Sequence, residues 1–305
     1  MRPRSSTIVP LVGAALIAFC FAACETASRK PDPPATPVLQ ERSGEDRAQM
    51  YYARGLAQQS RGNLPAAITE FQRAVEADPT SARSHNNMGT SYQRLGKLEE
   101  AAAAYTKALA INPRLLHAQH NLASVQLGLG DLDGAIAGFQ GVVDRVPEMA
   151  AARVDLGRAL GAAGRLDEAI ATLQHAVELE PSLSAAHYAL GVAYRHKGLP
   201  DMSIGALRQA IELDASLVEA HIILGQAYRD AGDLARAEDA LRRATETGPA
   251  NHEALHQLGL THTQAGNYAA AVDTLRSALE INPESSETTN ALRLAEARLA
   301  REGSK

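Results

Sequence analysis

His85–Pro113 reads HNNMGTSYQRLGKLEEAAAAYTKALAINP. Met88, Tyr92, Ala101, Tyr105 and Ala108 fall at helical spacing. Gly96 interrupts the pattern where a helix must stop and the backbone needs a tight or left-handed turn. Pro113 closes the second apolar segment, because proline cannot continue a helix. The stretch therefore predicts two helices joined by a turn. Small Ala101 faces the place where the helices cross closely, and Tyr105 fills the groove beside it.

The same layout recurs outward in both directions. Gly62, Gly96, Gly130, Gly164, Gly198, Gly232 and Gly266 follow one another every 34 residues. Pro79, Pro113, Pro147, Pro181, Pro249 and Pro283 keep that period, with Ala215 at the vacant place. Ala67, Ala101, Ala135, Ala169, Ala237 and Ala271 keep it too, with Ser203 as the exception. Chance does not hold three columns in phase over seven periods. A period of this length means stacked supersecondary units, each burying its apolar face on the next. The expected fold is all-α: an α-solenoid of seven helix-turn-helix repeats spanning residues 48–81, 82–115, 116–149, 150–183, 184–217, 218–251 and 252–285. Residues 286–305 form a capping helix and tail, with Leu292, Leu299 and several alanines on one side. Repeat five departs three times, at Pro200, Ser203 and Ala215, which predicts that its second helix opens most easily.

These columns resemble the tetratricopeptide repeat, whose pattern runs Trp-x-x-Leu-Gly-x-x-Tyr, then Ala-x-x-x-Phe, then Pro. The Leu-Gly pair stands as Met88-Gly89, Leu156-Gly157, Leu190-Gly191, Leu224-Gly225 and Leu258-Gly259; the tyrosine as Tyr92, Tyr194 and Tyr228. The second-helix aromatic stands as Phe71, Tyr105 and Phe139, then as Leu173, Leu207, Leu241 and Leu275. Repeat three has Ala123 for the glycine, and Tyr51, His85, His187, His221 and Leu255 occupy the opening-Trp column. The resemblance implies a right-handed superhelix with the first helices lining its concave face. The groove residues it implies for a protein or peptide partner are Tyr52, Asn86, Asn87, His120, Asn121, Arg158, Tyr188, Arg195 and Arg229. Asn87 and Asn121 share a column one repeat apart, like rungs of the asparagine ladder by which some long superhelices grip a peptide backbone. Asp155, Ala189 and Ile223 follow them in that column. No three consecutive repeats supply the chaperone-type carboxylate clamp.

Both cysteines lie near the amino terminus. Arg2 and Arg4 precede the uncharged run Ile8–Phe21, and Ala22 and Ala23 precede Cys24: the three-part layout of an export signal. Phe21-Ala22-Ala23-Cys24 resembles a bacterial lipobox, which implies cleavage after residue 23 and lipidation of Cys24. Cys20 is then discarded, and the mature chain has no free thiol. Glu25 follows the anchor, where an Asp would favour inner-membrane retention in the lipoprotein sorting pattern. The expected localisation is therefore the outer membrane, facing the periplasm. Residues 24–46, with Pro31, Pro33, Pro34 and Pro37, read as a lipid-anchored tether.

The formal charge of −5 becomes −7 once the two signal-peptide arginines are removed, which argues against sequence-independent nucleic-acid binding. No phosphate loop, nucleophile elbow or carboxylate dyad stands out, and no cofactor is called for. One stretch does look catalytic. His252-Glu253-Ala254-Leu255-His256-Gln257-Leu258-Gly259-Leu260-Thr261-His262 matches the metzincin zinc-protease pattern. His252 and His256 lie one helical turn apart, and Glu253 has the place of a general base. Yet Leu258-Gly259 is the Leu-Gly pair of repeat seven, and His262 holds its tyrosine place. If the helix runs on to Gly266, His262 points away from the other two; no Met follows to make a Met-turn. The expected function is thus a non-catalytic interaction scaffold or assembly factor of the bacterial envelope. A pilotin-like lipoprotein for secretin or type IV pilus assembly is the narrower alternative. A zinc peptidase through His252, Glu253 and His256 is the alternative from another class.

Overall fold

The computed structural model describes residues 43–247 and 251–303. Those residues form fifteen α-helices and no strand. The first helices of the seven repeats are α1 (Gly44–Ser60), α3 (Ala82–Arg94), α5 (Leu116–Leu129), α7 (Ala150–Ala162), α9 (Ser184–His196), α11 (Val218–Asp230) and α13 (His252–Ala265). Their partners are α2 (Leu64–Ala77), α4 (Leu98–Ile111), α6 (Leu132–Arg145), α8 (Leu166–Leu179), α10 (Pro200–Leu213), α12 (Leu234–Thr247) and α14 (Tyr268–Ile281), and α15 (Ser286–Glu302) caps the stack. No described helix is long and apolar enough to cross a membrane. The expected signal peptide, Cys20, Cys24, the expected tether up to residue 42 and Pro249 lie outside the described residues.

The tether ends earlier than its charged composition suggests. Ser43 and Asp46 form a capping box: the Asp46 N–H donates to Ser43 Oγ at 3.1 Å, and the Ser43 N–H donates to Asp46 Oδ2 at 3.3 Å. Residues 44–46 therefore open α1 instead of extending the linker.

Each repeat is held by two kinds of glycine. The seven turn glycines have φ between +73° and +82°, the left-handed region where a side chain is strained. The glycine of the Leu-Gly pair works by size. A methyl built on Gly225 would lie 2.4 Å from Leu241 Cγ, so the second helix lays its largest core side chain on bare first-helix backbone. Repeat three, with Ala123 in that column, exchanges the sizes. Gly138 of α6 makes room, and a methyl there would lie 2.7 Å from Ala123 Cβ. The alanines at 67, 101, 135, 169, 237 and 271 are fully buried at the crossings, as are Phe71, Tyr105, Leu207, Leu241 and Leu275 beside them.

Repeat five accommodates its three departures within the regular geometry of the stack. Pro200 sits in the first turn of α10, where a missing N–H costs nothing. Buried Ser203 donates its hydroxyl to the Gly191 carbonyl at 2.7 Å. Asp214 accepts from the Ser216 N–H at 3.0 Å and its hydroxyl at 2.6 Å, closing the turn that lacks proline. Pro200 and Ser203 are thus accommodated locally, and the Asp214–Ser216 turn is the one that Asp78 and Thr80 make around Pro79.

The cap also differs in one detail. Ala295 is fully buried, and Ala291 and Leu292 pack on repeat seven, but Leu299 remains 36% exposed. By the 34-residue register Leu299 matches Ala265, the last residue of α13, so it projects past the helix it stacks on. Arg293 takes the place of the Leu-Gly glycine, so no further second helix can lie on this backbone.

Two outcomes follow from this packing. Gly225→Ala should cost about 1–3 kcal/mol in urea unfolding, because Leu241 must leave its rotamer or the helices must part. In hydrogen exchange, the amides of α10 should be protected to the same degree as those of α8 and α12.

Candidate functional site

Neighbouring first helices touch all along the stack, from α1 and α3 to α13 and α15, whereas no second helix reaches the next second helix among the described residues. A stack that is tight on one side and splayed on the other curves toward its tight side. The first helices therefore line the inner face, and their outward positions are where a partner would be met.

Most polar side chains on that face are engaged with the next repeat. The Asn87 amide donates to the Tyr52 hydroxyl at 3.0 Å, and His120 Nε2 meets Asp155 Oδ2 at 2.8 Å. Arg195 Nε donates to Asp230 Oδ2 at 2.8 Å, and Arg229 Nη1 donates to the Gln257 carbonyl at 3.4 Å. The first three pairs are separated by 35 residues, one repeat plus one, because adjacent first helices lie one residue out of step across the seam.

This changes the role of several residues expected to grip a partner. Asn87 also donates to the Arg83 carbonyl at 3.0 Å, so its amide N–H groups are spent within the fold. Asn121 lies close enough to His120 and to the Tyr105 hydroxyl to influence the pKa of both. Asn86 is half-buried, with its Oδ1 atom enclosed and without a protein partner. Arg195 is neutralised by Asp230, and burial pushes the half-buried Arg229 guanidinium below its usual pKa.

Arg158 differs from these two arginines. Its side chain is 60% exposed, and the nearest carboxylate is Asp155 at 3.5 Å, which His120 already occupies. Arg158 and Tyr188 together line a trough of about 570 Å³ along the seam of α7 and α9, the longest seam between any two first helices. Burial raises the pKa of Tyr188, Glu219 adds to the rise, and Arg158 opposes it. Tyr188 thus stays a neutral hydroxyl donor.

The protease-like stretch is built for something else. α13 runs unbroken through Gly259, whose bare backbone receives Leu275; a methyl there would lie 2.5 Å from Leu275 Cγ. His262 is consequently carried to the second-helix side, where its Nδ1 lies 3.8 Å from Glu238 Oε2. The rings of His252 and His256 stack at 6.1 Å, and Thr288 Oγ1 of the cap lies 3.0 Å from His252 Nε2 and 2.9 Å from His256 Nδ1. Ser285 Oγ is 2.9 Å from the same hydroxyl. With one hydroxyl proton to give and two lone pairs to accept, Thr288 can serve all three of these neighbours. Glu253 accepts from Gln257 Nε2 at 2.8 Å. The three histidines are thus not brought together as the metzincin pattern requires: the third faces elsewhere, and a threonine hydroxyl lies against the facing nitrogens of the first two. Among the described residues no group of three or more His, Cys, Asp or Glu side chains is placed to hold a metal.

Sequence reasoning missed Thr288, although a signal existed. Its column holds Ala118, Ala152, Ala186, Ala220 and Ala254 in repeats three to seven and a hydroxyl at Ser84, which meets Ser81 at 2.8 Å, so a hydroxyl there marks a place with a polar partner. It also missed a task of the opening-Trp column. Arg153 and His187 donate to the carbonyls of Pro147 and Pro181 and so fasten the turn between repeats.

Burial holds the pKa of His85, His221 and His256 below the ordinary 6.5, so the fold favours their neutral forms. Their contribution to stability is complete above about 6.5 and is lost as pH falls through the lowered values. His120 has the opposite sign: the Asp155 hydrogen bond raises its pKa, so its contribution is present below 6.5 and fades as pH rises through the raised value. The urea midpoint should accordingly fall between about pH 7 and pH 5, and Asp155→Asn should steepen that fall. At neutral pH, Thr288→Val should lower stability by about 1–3 kcal/mol, because buried His256 and half-buried His252 lose their shared partner.

Five repeat models match the sequence. Four are described as tetratricopeptide repeats, at residues 82–115, 126–193, 184–217 and 224–286, and one as a TPR repeat at residues 55–96. Between them they span most of the described chain. No curated protein matches in sequence. Among solved structures, a tetratricopeptide repeat protein from Parabacteroides merdae superposes with a TM-score of 0.70 at 18% identity, over 82% of this chain and 98% of that one. PilW, described as a widely conserved type IV pilus biogenesis factor, gives 0.63 at 20% identity, over 69% of this chain and 98% of that one. The APC/C hetero-tetramer Cut9–Hcn1 gives 0.66 at 19% identity, over 85% of this chain and 49% of that one.

Proposed function

We propose that this chain, which belongs to the tetratricopeptide repeat family, is a non-catalytic scaffold of a bacterial cell envelope, anchored through Cys24 and docking a partner protein along its inner face. Proteins of this fold serve as protein–protein interaction scaffolds, and the observation that carries the reading here is the continuous seam of first helices. It offers a long, preorganised surface whose own polar residues are already tied repeat to repeat, so a partner meets a rigid face and little ordering entropy is spent on it. The envelope assignment rests on the lipobox-like Phe21-Ala22-Ala23-Cys24 and the proline-containing segment after it. Multiple acyl chains on Cys24 would hold the solenoid stably at a membrane, with the outer membrane favoured by Glu25.

A narrower reading, assembly of a secretin or type IV pilus, is favoured by the likeness to PilW together with the lipoprotein layout. At 20% identity that likeness reaches the fold alone.

Crosslinking in native envelopes, followed by mass spectrometry, tests both readings. A partner crosslinked to first-helix positions supports the scaffold, and a secretin or pilin subunit among the products supports the narrower role. Products confined to second-helix positions would place the partner on the other face and overturn the docking surface. Cys24→Ser should convert the protein from membrane-bound to soluble or unprocessed. If the variant is cleaved normally and still sediments with membranes, the anchor is elsewhere.

A further inference from the structure

We propose that the trough between α7 and α9 is the specificity pocket of the inner face: it receives one bulky apolar side chain of an extended partner segment, with an adjacent Asp or Glu of that segment on Arg158. This rests on the inner face being the partner surface and adds what the surface selects.

The trough exists because the middle of the stack drops side chains that other repeats keep. Gly161 stands in the column of Gln93, Arg195 and Arg229. Ala162 stands in the column of Arg94, Gly128, His196 and Asp230, and across the seam Ala189 stands in the column of Asn121, Asp155, Ile223 and Gln257. The result is an opening of about 570 Å³ whose walls include Gly157, Gly161, Ala189, Val192 and Ala193. That is room for a leucine, methionine or aromatic side chain lying against apolar walls.

Packing accounts for one of the glycines and not the other. Gly157 is required, since a methyl there would lie 2.5 Å from Leu173 Cγ. A methyl on Gly161 would meet nothing nearer than Ala169 Cβ at 4.0 Å, an ordinary contact. Glycine in a helix is disfavoured by up to about 1 kcal/mol relative to alanine. The fold therefore bears that cost at Gly161 without a packing return. An open trough is what the missing side chain provides.

Charge selects the neighbouring residue. Arg158 and His196 line the trough, and Arg158 is the exposed arginine whose nearest carboxylate is already held by His120. An arriving carboxylate can take both guanidinium donors, a geometry in which arginine is strong. The Tyr188 hydroxyl, kept neutral by burial, adds a donor on the opposite wall. Glu219, close enough to influence Tyr188, works against an acidic residue beyond the α9 side, which places the partner's carboxylate toward α7.

The probe is a displayed library of random dodecapeptides selected on the purified full-length protein in detergent. Enriched peptides should share a bulky apolar residue beside Asp or Glu. Gly161→Leu, which fills the trough with a better helix former, should weaken the selected peptides at least tenfold while the urea midpoint stays or rises. Arg158→Glu, reselected on the same library, should shift the enriched pair to apolar–Lys or apolar–Arg. If Gly161→Leu and Arg158→Glu both leave affinity within twofold while Asn121→Leu abolishes it, the trough assignment falls and the inner face stands. If none of the three matters, the inner face falls with it. A library that enriches no apolar–acidic pair overturns the proposal outright.

Discussion

The contact on which everything else depends is a side chain laid on bare backbone. Leu241 against Gly225, Tyr105 against Gly89 and Leu275 against Gly259 bring the two helices of a repeat closer than any pair of larger residues would allow. That approach buries the alanine columns completely and sets the angle at which each repeat meets the next. The exception supports the point. Where repeat three has Ala123, the missing space reappears at Gly138 on the other helix. What is maintained is the clearance, and the glycine can sit on either side of it.

From the clearance follows the one-residue stagger that joins His120 to Asp155 and Arg195 to Asp230. Such staples serve the fold first. A surface whose polar groups satisfy one another has fewer left to recognise anything else, so recognition concentrates where the stapling lapses. At the seam of α7 and α9 the inner positions carry Gly161, Ala162 and Ala189 and no staple crosses from those residues. The same columns thus do two things: side chains present hold the stack, and side chains omitted leave the trough open.

The fold was legible because its determinants repeat. Seven glycines at one spacing predict seven left-handed turns, and each was found at positive φ. The groove residues were legible as positions on a face but not as free or engaged. Whether Asn87 reaches a partner depends on Tyr52, 35 residues earlier, and that stagger is a property of helix packing that no single repeat encodes. Ser203 is a further instance. As a letter it breaks the alanine column, while in space its hydroxyl has a carbonyl waiting. The start of α1 was misplaced for the converse reason: Ser43 and Asp46 resemble linker composition until they are seen to cap each other.

The histidine cluster shows how a repeat can imitate an enzyme. A Leu-Gly pair recurs in five repeats, and a Gly three residues after a His is one element of the zinc-protease pattern. Given that pair, only a few polar letters at first-helix positions complete the match. The two structures demand opposite things of the glycine, however. A protease needs the chain to turn there so that a third histidine can return to the metal, whereas the repeat needs the helix to continue so that Leu275 has backbone to lie on. Gly259 does the second, and once it does, His252 and His256 are left on a face that the cap covers. Thr288 then supplies the partner their nitrogens require, in a column where repeats three to seven carry alanine. The polar residues at 252, 256 and 288 are therefore one feature: the means by which a helix without a successor is fastened to the end of the stack.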